Sequence, residues 1–94
     1  MHPSEAEGFE WDDGNEGELA QHGIRPFEVE QVWGNDPAFA GNRGGMAGDW
    51  KMVGRTDGGR VLTVIVLTRP DTQNLRPITG YDSPRGDRTR YLRG

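Results

Sequence analysis

The sequence predicts an α+β domain, and three observations carry that prediction. Asp57-Gly58-Gly59 is a tight-turn signal between the alternating stretch 49–55 and the apolar run 60–68, a pattern that reads as an antiparallel hairpin. Two short stretches upstream carry helix start and stop signals instead of alternation. Ser83-Pro84 then opens a last arginine-rich stretch as cap and first helical residue, with Gly86 weakening its interior. The expected order is strand, helix, helix, three antiparallel strands, helix. That makes an antiparallel sheet of about four strands, with two N-terminal helices and one C-terminal helix.

Residues 1–8 contain a proline and two glutamates but no apolar periodicity, so they are predicted to be a disordered lead-in to a single domain over 9–94. Phe9-Glu10-Trp11-Asp12 alternates apolar with acidic, as a half-buried strand does. Asp13 with Glu16 can cap the helix that follows, and Asp12 is itself a capping residue type. His22-Gly23 ends it. Glycine tolerates the left-handed conformation at a helix C-terminus, and His22 stands where unpaired carbonyls gather partial negative charge. Pro26 suits the first position of a second helix, on which Val29, Val32 and Trp33 share a face until Gly34-Asn35 stops it.

Residues 35–48 contain four glycines, a proline and two asparagines, and are predicted to be a loop anchored by Phe39 and Met46. In the strand 49–55, Trp50, Met52 and Gly54 share one face, and Lys51, Val53 and Arg55 the other. The run 60–68 is apolar on both faces except at Thr63, which predicts a strand covered on two sides. Residues 75–80 form a further strand, but Pro77 has no N–H to give to a ladder, so the strand lies at an edge or bends there.

Ninety-four residues bury only a modest core. The chain has no cysteine, which removes disulfides and thiolate metal sites and fits a reducing compartment. Metal-ligand spacing is absent, no cofactor motif is present, and no apolar stretch approaches the length of a membrane span. A soluble cytoplasmic protein is expected. The net charge of −4 hides an asymmetry, because residues 1–42 sum to −9 and residues 43–94 to +5. One reading is a basic working face opposed to an acidic one; the other is two mixed, solvated surfaces.

Trp11-Asp12, His22-Gly23-Ile24, Pro26 with Glu28-Val29-Glu30, Gly54, Gly59-Arg60-Val61-Leu62, Arg76-Pro77-Ile78-Thr79 and an arginine-rich end at Tyr91 occur in that order. As an ordered set they resemble the BrnT family of type II toxins over nearly the whole chain after Gly8. The resemblance implies a RelE-like fold, metal-independent cleavage of RNA, and a small cognate antitoxin that binds the toxin in a hetero-oligomer, with self-association as a further possibility. The chain departs from the family in its first helix. Many members carry lysines there, where this chain has Asn15-Glu16 and Gln21.

Cleaving RNA without a metal requires proton exchange near neutral pH and preorganised cations for the phosphorane. His22 is the only histidine outside the lead-in and is the candidate for proton exchange. Arg76, on a predicted strand, and Arg55 are the candidate catalytic cations. Lys51, Arg69, Arg85 and Arg88 are candidates for RNA binding, with Tyr81 and Tyr91 able to stack on bases. Asp12 or Glu18 can orient His22. The acidic first helix and missing lysines motivate an alternative of a different class, a non-catalytic protein-binding module that keeps the toxin fold.

Overall fold

The computed structural model describes residues 1–42 and 48–93, so Met46, the second expected loop anchor, lies outside the described residues. The α+β class holds, with more strands than the expected four. The strands are β1 (Gly8–Phe9), β2 (Ala38–Gly41), β3 (Trp50–Arg55), β4 (Val61–Arg69) and β5 (Asn74–Asp82). The helices are α1 (Asp13–Gln21), α2 (Pro26–Gly34) and α3 (Arg85–Arg93). The sheet runs β1-β5-β4-β3-β2 and is mixed, because β1 lies parallel to β5 while every other pair is antiparallel.

Two further expectations are corrected. Residues 1–8 are not a disordered lead-in: Pro3–Glu5 forms a 3-10 turn, Pro3 and Ala6 are buried, and the Trp33 indole Nε1 donates to the Pro3 carbonyl at 3.1 Å. Proline and alanine bury little area each, so they give no periodic signal; the indole bond, the Glu7 N–H to the Gln73 carbonyl at 2.8 Å and the His2 ring against Phe39 and Trp50 fix the segment. Residues 35–48 are not wholly loop, since Ala38–Gly41 pairs with β3. A four-residue strand of two alanines, one phenylalanine and one glycine has no sequence pattern of its own. It forms because β3 offers it a ladder.

The two faces of the sheet are covered by different helices. Met52 on β3 and Leu62, Val64 and Val66 on β4 point to one side, where Leu19, Ile24, Val29 and Val32 of the α1–α2 segment complete the core. Alternation sends Lys51, Val53, Thr63 and Ile65 to the other side. There Thr63 bonds Ser83 Oγ at 2.8 Å and Asp87 at 3.0 Å, which docks α3. The strand predicted to be covered on both sides therefore is, and Thr63, the polar residue of its buried stretch, is the attachment point.

Pro77 bends its strand as expected of a residue without a donor. The β4–β5 ladder pairs Ile65 with Thr79 and Val66 with Pro77, leaving Ile78 as the extra residue of a bulge. β1 reaches only as far as Leu75, so α1 covers β5 beyond it. The cap of α1 makes that contact. Asp12, one residue earlier than the expected Asp13, is the N-cap in a box with Asn15, and the buried Asn15 amide donates to the carbonyls of Glu10 at 2.8 Å and Pro77 at 2.9 Å.

Gly54 lets α2 and the following turn close on β3: a Cβ there would lie 2.9 Å from the Pro37 ring and 3.1 Å from Val32. Gly54→Ala is expected to destabilise the fold by about 1–3 kcal/mol through overpacking, read as a lower denaturation midpoint at unchanged m-value. An unchanged midpoint would mean that α2 is not held at this distance.

Candidate functional site

His22 caps the C-terminus of α1, and Gly23 follows at φ +70°, the left-handed conformation expected of it. The imidazole is 41% exposed and its Nε2 lies 3.3 Å from Glu18 Oε2, one helical turn back. Thr79 Oγ1 on β5 donates to the same carboxylate oxygen at 2.8 Å. Glu18 thus orients the histidine and is itself fixed to the sheet. The result is a solvent-facing imidazole with a carboxylate behind it.

The expected cations do not converge on that imidazole. Arg76 Nη1 meets Asp12 Oδ2 at 2.8 Å, at the opposite end of α1. Ten residues of helix separate Asp12 from His22, or roughly 15 Å. Lys51 is on the other side of the sheet, 3.3 Å from Asp87 of α3. Arg69 lies 3.8 Å from Glu10 and 3.9 Å from Asp71 in the β4–β5 turn. Arg55 is exposed at the end of β3, where its carbonyl accepts from Asn35. Arg85 and Arg88 are exposed one turn apart on α3.

Tyr81 is half-buried on β5 opposite Thr63, on the α3 side of the sheet. Tyr91, also half-buried, lines a cleft of about 80 Å³ with Ala38, Ala40, Val53 and Arg90. Lys51 borders the same cleft as Tyr91.

A further cation, Arg60, which composition did not single out, reaches the backbone at His22. Its Nε and Nη2 grip Asp82 at 2.8 and 3.2 Å, and Nη1 donates to the Gly23 carbonyl at 2.8 Å. Glu28 stands 3.4 Å from Nη1, and the His22 carbonyl 3.4 Å from Nη2. This guanidinium closes the C-terminal end of α1 and ties the α1–α2 turn to β4 and β5. The Asp82 carboxylate beside it raises the pKa of Arg60, and Arg60 in turn lowers that of Asp82. The available signal was position: an arginine straight after a glycine turn, fixed at the start of a central strand.

The imidazole thus has one carboxylate beside it, and the guanidinium that reaches its backbone is already bonded to Glu28 and Asp82. A guanidinium so compensated offers little attraction to a phosphate. No group of three or more metal-ligating side chains occurs among the described residues, and no described helix is long and apolar enough to cross a membrane. The sequence matches no known family model and no curated protein.

Arg76, through its hydrogen bond, and then the Asn15 backbone N–H hold the Asp12 carboxyl below its ordinary value of 3.8. The folded state thus binds this proton more weakly than the unfolded state. Any stability from the pair is present above the unfolded pKa and is lost as pH falls through the lowered folded value. In Arg76→Gln the Asp12 carboxyl is expected to titrate at higher pH, read from its carbon chemical shift. A titration curve identical to that of the native chain would show that the pair does not persist in solution.

Proposed function

We propose that this chain is the toxin-fold component of a type II toxin–antitoxin pair, resembling BrnT, and that it works by engaging its cognate antitoxin without cutting RNA. One observation carries the reading. Arg60, Arg69, Arg76 and Lys51 each face a carboxylate, and they do so at separate places on the fold. A phosphorane needs uncompensated positive charge within hydrogen-bond reach of the proton-transferring group. The His22 imidazole has the Glu18 carboxylate in that position instead, at 3.3 Å.

The α+β class is compatible with the RelE-like part of this proposal, while the five-stranded mixed sheet and the extra 3-10 turn depart from the antiparallel four-stranded layout the resemblance implies. A cytoplasmic location and a toxin–antitoxin hetero-oligomer belong to the same reading.

The oriented Glu18–His22 pair favours a second reading, an RNA endonuclease. In that reading Nδ1, the nitrogen not facing Glu18, exchanges the proton, and the exposed arginines of α3 contact the RNA backbone.

The test joins two measurements on the purified chain: gel filtration with the product of the adjacent gene, and incubation with a broad RNA panel in the presence of chelator. A stable complex and intact RNA are expected. Cleavage that disappears in His22→Gln would replace this reading with the endonuclease, and absence of a complex would remove the partner.

A further inference from the structure

We propose that the aromatic cleft between β1 and α2 receives an arginine or lysine side chain from an extended basic segment of the protein partner, an inference that rests on the partner-binding reading. The cleft has a volume of about 400 Å³ and is lined by Glu7, Gly8, Phe9, Glu30, Trp33 and Gly34.

Its rings are held in place before any ligand arrives. The Trp33 indole is fixed by the Pro3 carbonyl at 3.1 Å. Phe9 meets Trp33 edge to face, with centroids 5.9 Å apart at 88°. On its other side Phe9 stacks on Trp11 at 6.3 Å and 18°, and the Trp11 indole donates to Glu30 Oε2 at 2.8 Å. Binding there orders little that is not already ordered.

The rim selects for charge. Glu7 and Glu30 are both exposed, and neither takes part in an ion pair among the described residues. An aromatic wall attracts a cation through its ring quadrupole, and a carboxylate at its edge adds direct attraction. The matching ligand has an apolar stem and a cationic head, which describes an arginine or lysine side chain. Phe27, 56% exposed and one turn from Glu30 on α2, extends the apolar surface past the cleft, as a peptide needs and a free cation does not. The same two carboxylates repel nucleic acid.

The probe is the peptide acetyl-Gly-Arg-Gly-Arg-Gly-amide, compared with the same peptide carrying neutral citrulline for arginine, each titrated while the indole N–H resonances are followed. The arginine peptide is expected to move the Trp11 and Trp33 signals and leave Trp50 in place, and the citrulline peptide to move none. The double variant Glu7→Gln, Glu30→Gln keeps an acceptor for the Trp11 indole and removes both charges. It is expected to bind the arginine peptide about fivefold more weakly.

Equal binding of the two peptides, or movement confined to Trp50, would overturn the proposal even if the double variant fails to fold. Complex formation with the adjacent gene's product separates the two claims. If the native chain forms no complex, the functional reading fails. If the native chain and a folded double variant form it equally well, the cleft proposal fails alone.

Discussion

The Arg60 guanidinium pins three separate parts of the chain to one another. It takes the Gly23 carbonyl at the end of α1, Glu28 in the first turn of α2, and Asp82 at the end of β5. Two helices of nine residues each are too short to persist alone, and α1 carries Gly14 and Gly17 inside it. Their stability therefore comes from their ends and from the face they bury. Asp12 and Asn15 close one end of α1, Arg60 closes the other, and Leu19 fills the core between them.

Much of the fold is legible in local chemistry. Gly23 ends α1 because it adopts φ +70°, Pro26 opens α2, and Asp57-Gly58-Gly59 joins β3 to β4, all as residue type dictates. What is not legible depends on partners distant in sequence. β1 is two residues long and exists because Glu7 and Glu10 donate to the carbonyls of Gln73 and Leu75. β2 exists because β3 has a free edge, and the 3-10 turn, capped locally by His2 and Glu5, is docked by Trp33 reaching back to Pro3.

The candidate site follows the same division. Spacing of four residues brings Glu18 to His22, which a helix guarantees. Thr79, which steadies Glu18, comes from 61 residues away, and nothing local announces it. Charge asymmetry between the halves left two readings open, an opposed basic face or mixed surfaces. In the fold three pairs turn part of it into internal complementarity: Arg76 with Asp12, Arg69 with Glu10, and Arg60 with Glu28 join the basic half to the acidic one. Charges used to join two halves of a chain are charges withdrawn from a phosphate site.

That withdrawal is the central claim, and titration of an RNA oligonucleotide at low salt tests it most directly, with the arginine Nε–H resonances of Arg60 and Arg76 followed by NMR. Both are predicted to stay in place through the titration, because their donors are already held by Asp82, Gly23 and Asp12. Saturable movement of either resonance would contradict the account, since it would show a guanidinium leaving its carboxylate for a phosphate.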